Sequence, residues 1–199
     1  MLHYIMAPVL ALGLAMPAAA EKLSLQAISN YLNSFKTAQG EFTQINEDGT
    51  VSTGQITIKR PGRVRFEYNP PEETLVVSDG VHVGIIDPKS NTRPEAYPLQ
   101  RTPLKIILAN NVDFTRARMV TGHSYDGKAT KVRAQDPEHP EYGNIDLVFT
   151  GSPVQLRQWV INDGDGSSTT VILGDMKTGI RMNNDKFVVP GTGHQQPNR

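Results

Sequence analysis

The sequence predicts a mainly β fold with covering helices, on three observations. Apolar and polar residues alternate from Ile56 to Tyr68, turn-forming residues recur at short intervals from Glu47 to Pro88, and an amphipathic helical stretch starting at Leu25 precedes the alternating part. Strands with period two present one apolar and one wet face. A sheet built from them needs a cover for its apolar side.

Before the helix stand twenty residues without Lys, Arg, Asp or Glu, apolar from Val9 to Met16 and ending Pro17-Ala18-Ala19-Ala20. That is the layout of an export signal, residues 1–20, cut before Glu21, although its n-region offers only His3 and the amino terminus as positive charge. Pro8, Gly13 and Pro17 interrupt the run, which is too short to span a bilayer, and no later stretch is long and apolar enough either. The expected product is a soluble single domain over residues 21–190, followed by a polar, disordered tail over residues 191–199.

Leu25, Ile28, Leu32 and Phe35 recur at three-or-four spacing, which predicts a helix ending before Gly40. Ile56 and Ile58 then alternate with Gln55, Thr57 and Lys59, and Val64, Phe66 and Tyr68 with Arg63, Arg65 and Glu67. Glu47-Asp48-Gly49, Arg60-Pro61-Gly62, Asn69-Pro70-Pro71, Ser78-Asp79-Gly80 and Asp87-Pro88 punctuate an antiparallel meander. Thr102-Pro103 puts a cap candidate and an N1 proline before a short apolar helix, with Leu104, Ile107 and Leu108 on one side. Further strands are expected over residues 113–120, 129–135, 144–150, 154–161 and 168–173, the last two joined by a hairpin at Asn162-Asp163-Gly164-Asp165-Gly166.

Twenty acidic and twenty basic residues balance, so no nucleic-acid partner is expected. Absence of cysteine excludes disulfides, thiolate metal sites, a cysteine nucleophile and a lipid anchor on a cysteine after the signal. Gly122-His123-Ser124-Tyr125-Asp126 departs from a nucleophile elbow at its closing position and reads as a polar turn. His82, His123, His139 and His194 lack ligand spacing, and no phosphate-binding glycine loop is present. Glu72-Glu73 and the Glu138/Glu141 pair fall among prolines as solvated loop charge. The expectation is no enzyme, no catalytic residue, no metal and no cofactor. Two residue groups stay open: Arg60 suits either solvent at a strand end or backbone carbonyls at a corner, and the helix at Leu104 is either a plain cover or a lid.

Lys59-Arg60-Pro61-Gly62-Arg63-Val64-Arg65-Phe66-Glu67-Tyr68, then Pro71, Leu75-Val76-Val77-Ser78-Asp79-Gly80 and Asp87-Pro88, resemble the periplasmic lipoprotein-carrier family, LolA. The supporting order is similar too: a signal, a helix, Phe42-Thr43-Gln44, and Thr102-Pro103-Leu104 opening a helix. The resemblance implies an unclosed, strongly curved antiparallel β-barrel with an N-terminal helix and a short lid helix over an apolar concave face. It implies acyl-chain binding by Ile56, Ile58, Val64, Phe66, Tyr68, Leu75, Val77, Val83, Ile85, Leu104, Ile107 and Leu108, with Arg60 as lid latch. The implied role is that of a periplasmic carrier, a monomer shuttling lipoproteins by their acyl chains from an inner-membrane ABC transporter to the outer membrane, and to a receptor there if one is present. Family members often carry aromatics where this chain has Gly84, Ile85 and Ile86. Competing readings are a lipid-sensing envelope regulator, a type with an additional C-terminal domain, and a generic periplasmic hydrophobic-ligand binding protein.

Overall fold

A computed structural model describes residues 21–91, 93–116 and 118–192. The expected signal and residues 193–199 of the expected tail lie outside the described residues.

The first helix, α1 (Leu25–Asn33), starts at Ser24, whose extended backbone and side-chain oxygen, accepting from Ala27 N at 3.1 Å, cap the orphan amides. It buries Ile28 and Leu32 and ends earlier than its spacing predicts. Gly40 is no helix stop: it lies inside β1 (Thr37–Ile45), where a Cβ would meet Met176 Sδ at 2.5 Å and Asp175 O at 2.8 Å. The glycine marks a close backbone approach within a sheet.

A meander follows: β2 (Val51–Lys59), β3 (Arg63–Tyr68), β4 (Leu75–Asp79), β5 (His82–Ile86) and β6 (Glu95–Pro98). A 3-10 turn at Leu99–Arg101 and the single-turn helix α2 (Leu104–Ile107) lead to a second meander of β7 (Val120–Tyr125), β8 (Thr130–Gln135), β9 (Asn144–Thr150), β10 (Gln155–Asn162) and β11 (Ser168–Leu173), then the short β12 (Lys177–Thr178). All join one antiparallel sheet in the order β6-β5-β4-β3-β2-β1-β11-β10-β9-β8-β7, with β12 on the first residues of β1. The two meanders share the seam between β1 and β11, while β6 and β7 have no pairing with each other. The barrel is thus unclosed, and the segment linking its two edge strands is the one that carries α2.

The strands expected near residues 129–135, 144–150, 154–161 and 168–173 are present. Residues 114–116 and 118–119 form turns instead of a strand, and Gly122-His123-Ser124-Tyr125 belongs to β7 and is no polar turn. Its polar residues hid an alternation in which His123 and Tyr125 face the same side as Val132 and Thr130 of β8.

Curvature is measured by one contact. Phe66 on β3 and Trp159 on β10 stand four strand steps apart, about 19 Å on a flat sheet, yet their ring centroids are 6.3 Å apart and edge-on. The face they share is therefore the inside. One cluster fills it, with Phe42, Ile56, Val64, Leu147, Phe149 and Val171 from the sheet, Ile28 and Leu32 from α1, and Leu104, Ile106, Ile107 and Leu108 from the α2 region. A smaller cluster on the outer face packs Phe187 and Val189 over Val77.

Gly40→Ala is expected to lower the unfolding free energy by about 1–3 kcal/mol, because the Met176 side chain can rotate away from the new Cβ but the Asp175 backbone oxygen cannot. Urea unfolding of the variant against the parent protein checks this.

Candidate functional site

The inner face is the site the fold offers, and cross-strand register assigns its residues. Ile56 pairs with Phe66 and Ile58 with Val64, so these four share a face, and all are buried. Tyr68 continues that face, half-buried, donating from its hydroxyl to Gln44 Oε1 at 2.6 Å. Burial pushes its pKa up to about 12, so the phenol stays neutral.

Register also corrects the expected lining. Phe66 pairs with Val76 and Val64 with Ser78, which turns Leu75 and Val77 to the outer face, where they join Phe187, Val189, Ile86 and Met182. Leu75-Val76-Val77 is apolar without alternation because β4 is covered on both sides, so sequence carries no sign of which residue points in. Val83 pairs with Ser78 and lies inside, buried. Ile85 pairs with Val76 but is 39% exposed, at the rim next to the edge strand β6. Gly84 faces outward beneath Val189, whose Cγ1 would lie 2.5 Å from a Cβ there. An aromatic at that position has no room.

Leu104, Ile107 and Leu108 are buried in the inner cluster, and so is Ile106, which sequence spacing put on the other side. With one turn only, α2 has no true outer face except at Lys105, which pairs with Asp136 at the end of β8. Thr102 does not cap this helix. Its hydroxyl donates to Leu99 O at 2.9 Å, and Pro103 occupies the cap position.

Arg60 is 5% exposed, at the corner after β2. Its Nε donates to Ala109 O at 2.8 Å, Nη1 to Leu32 O and, at 3.5 Å, to Phe35 O, and Nη2 to Asn33 Oδ1 at 3.0 Å and Asn110 O at 3.4 Å. These acceptors come from two places only: the C-terminal end of α1 and the stretch just after α2. All are neutral oxygens, so the buried cation is solvated by carbonyl dipoles, including those at the negative end of a helix. Burial lowers its pKa below the ordinary arginine value, and the group remains charged.

The same two segments meet through further ties. Asn33 donates from Nδ2 to Val112 O at 2.7 Å and accepts from Val112 N at 2.9 Å, Ser29 Oγ accepts from Phe114 N at 3.0 Å, and Lys36 Nζ donates to Asn110 O at 2.6 Å. Gly62 N donates to Leu108 O at 2.8 Å. Sequence reasoning missed Ser29, Asn33 and Lys36, although Ser29 and Asn33, four apart on α1, set a polar row beside the apolar stripe that Lys36 continues just after the helix. A cleft of about 390 Å³ opens at the foot of α2, bounded by Pro61, Gly62, Gly80, Leu99 and Leu108 among others.

The chain is similar to proteins of one known family along most of its length. The family model for "Outer membrane lipoprotein carrier protein LolA" matches residues 33–190. The outer-membrane lipoprotein carrier protein of Pseudomonas paraeruginosa is 24% identical over 193 residues, covering 92% of either chain. That of Azotobacter vinelandii is 25% identical over 175 residues, covering 84% of this chain and 82% of its own. A solved DUF1329 family protein from Desulfovibrio piger matches with a TM-score of 0.50 at 10% identity, over 82% of this chain and 94% of that one, a likeness of fold alone.

The Lys105 hydrogen bond holds the Asp136 carboxyl below its ordinary range. A depressed carboxylate pKa contributes stability that is complete above the unfolded value and is lost as pH falls through the folded one. The tie between α2 and β8 is therefore expected to be constant through neutral pH and to weaken below about pH 4. Amide hydrogen exchange over residues 104–108 checks it: Asp136→Asn should exchange faster at pH 7, and the parent should show the same loosening only in acid.

Proposed function

The chain belongs to the LolA family of outer membrane lipoprotein carriers, and from that membership we propose that it is a periplasmic carrier, exported by residues 1–20, whose single domain binds lipoprotein acyl chains without enzymatic chemistry. It takes them from an inner-membrane releasing transporter and delivers them toward the outer membrane, as a monomer. One observation carries the reading: the inner face of the open barrel is filled by a movable-sized piece, four apolar side chains of a single helical turn in the connection between the two edge strands. Among the described residues no helix is long and apolar enough to cross a membrane.

Magnitudes support such a device. An acyl chain of about fifteen methylenes costs about 12 kcal/mol in water, at about 0.8 kcal/mol per CH₂. Free diffusion of a lipoprotein with several chains is negligible on that scale. Noncovalent binding saturates near about 20 kcal/mol, and a carrier that reached it would never let go. Exposing Leu104, Ile106, Ile107 and Leu108 costs roughly 6–12 kcal/mol, at about 1.5–3 kcal/mol per side chain. Opening thus offsets about one chain's worth of binding, which leaves cargo held but removable.

In this proposal the acyl chains occupy the face of Ile56, Ile58, Val64, Phe66, Tyr68 and Val83, displacing Leu104, Ile107 and Leu108, with Ile85 at the rim. Arg60 weights the balance toward the closed form. Its bonds to Ala109 and Asn110 exist only while the segment after α2 lies against α1.

Arg60→Leu is expected to leave loading intact and to reduce hand-off to the outer-membrane acceptor severalfold, since the closed form no longer competes for the cavity. Arg60→Lys, with a point charge in place of the fork, should fall between. The assay adds purified protein to spheroplasts, scores released lipoproteins, then scores transfer to outer membranes, with thermal melts to separate unfolding from gating. Equal transfer by parent and Leu variant would remove Arg60 from the mechanism; no release by the parent would remove the carrier role.

A further inference from the structure

The polar groups pointing into the inner face are nearly all satisfied from within the chain. Tyr68 and Gln44 serve each other, Ser78 Oγ donates to Gly62 O, Thr130 Oγ1 accepts from Leu23 N, and His123 Nε2 lies 2.9 Å from Leu23 O. Among the described residues Tyr125 and Trp159 are the exceptions, and Trp159 is the more deeply set of the two. It is the chain's single tryptophan and 1% exposed, and its indole Nε1 has no hydrogen-bond partner. A buried, unmade donor is costly and rare, and it calls for a reason.

Position supplies one. Trp159 sits in the middle of β10, between Leu147 and Val171 on the inner face, with the ring of Phe66 edge-on against it at 6.3 Å. An aromatic ring is a weak acceptor beside a carbonyl. The donor is rigid, unlike the hydroxyl of Tyr125, which also lacks a partner but lines the wide pocket of about 840 Å³ at the end of the barrel. The indole N–H is thus a fixed, unmade donor within the inner cluster, and a saturated chain offers it nothing.

We propose that Trp159 is a specificity-determining residue: its indole N–H donates to the acyl carbonyl of an ester-linked lipid when the cavity is occupied. This rests on the carrier reading and adds to it a chemical class, since hydrocarbon alone, or an ether-linked chain, leaves the donor unmade. A carbonyl oxygen satisfies it without adding a charge to the cavity. Acyl-ester carbonyls occur both on lipidated proteins and on phospholipids, so the probes separate the two sources.

The test uses the mature chain labelled with nitrogen-15, in which one tryptophan gives one indole cross-peak. The first pair of probes is a synthetic diacyl lipopeptide with ester-linked palmitoyl chains and its ether-linked twin. The second is palmitoyl lysophosphatidylcholine and its hexadecyl ether twin. Backbone amides report binding, and the indole peak reports the carbonyl. Each ester compound that binds is expected to move the indole proton downfield and to bind about fivefold tighter than its ether twin, and whichever ester binds more tightly identifies the source. Trp159→Phe should abolish the ester preference while keeping the ether affinity within about twofold, so a general loss of packing is told apart from a lost hydrogen bond. An equal indole shift with both twins, or no ester preference in the parent protein, overturns the proposal even if the Phe variant does not fold. Failure of all four probes to move any backbone amide overturns the carrier reading beneath it.

Discussion

An antiparallel sheet that curls until Phe66 meets Trp159 but leaves its two edge strands unpaired with each other has an apolar interior that the sheet itself cannot fill. Everything else in the molecule answers that constraint. A closed barrel of the same strands would bury its interior permanently. Here β6 and β7 stay apart, and the chain between them must cross the opening in any case. Placing Leu104, Ile106, Ile107 and Leu108 in that crossing makes the filler part of the connection, so filling and covering become one event.

The ties that hold this filler are unequal on its two sides. After α2, Ser29, Asn33, Lys36 and Arg60 bind consecutive stretches from Ala109 to Phe114, and most of these bonds end on backbone atoms. Among the described residues from Leu99 to Ile107, the polar ties reaching other elements are Leu99 N to Val81 O, the Lys105–Asp136 pair and the Lys105 ammonium over the Tyr142 ring. An ion pair at a partly exposed site is worth little. A buried guanidinium facing only neutral oxygens depends on no titrating partner, so its hold is steady across the pH range in which proteins work. In the proposed carrier the balance between closed and open is then set by what competes for the apolar surface, which is the behaviour a lipid-binding site needs.

How much of this was legible beforehand depended on whether an element had one covered face or two. β2 and β3 alternate cleanly, and Ile56, Ile58, Val64 and Phe66 fall where alternation puts them. β4 is apolar at Leu75, Val76 and Val77 because the segment with Phe187 and Val189 covers its outside, and there alternation fails as a guide. β1 and β7 were passed over for the opposite reason: Gly40, Gln44 and His123 are polar or small yet point inward, each needed for close approach or for a hydrogen bond within the chain. Arg60 could be singled out from its place beside Pro61-Gly62. Its acceptors could not, since main-chain carbonyls of Leu32, Phe35, Ala109 and Asn110 leave no mark on side-chain identity.

Double coverage also decides which part of the barrel is the fixed reference for opening. β3 to β5 lie between the inner cluster and the outer one, and Lys59 and Arg65 reach across to the carbonyls of Met182 and Lys186, at 2.8 and 3.1 Å. Strands packed on both faces open last, because local unfolding must expose apolar surface on two sides at once. Gly84 is what lets Val189 lie against the backbone there. An aromatic side chain at Gly84 would push that cover away, and the inner face would lose the stiff wall against which the proposed lid exchanges places with a lipid.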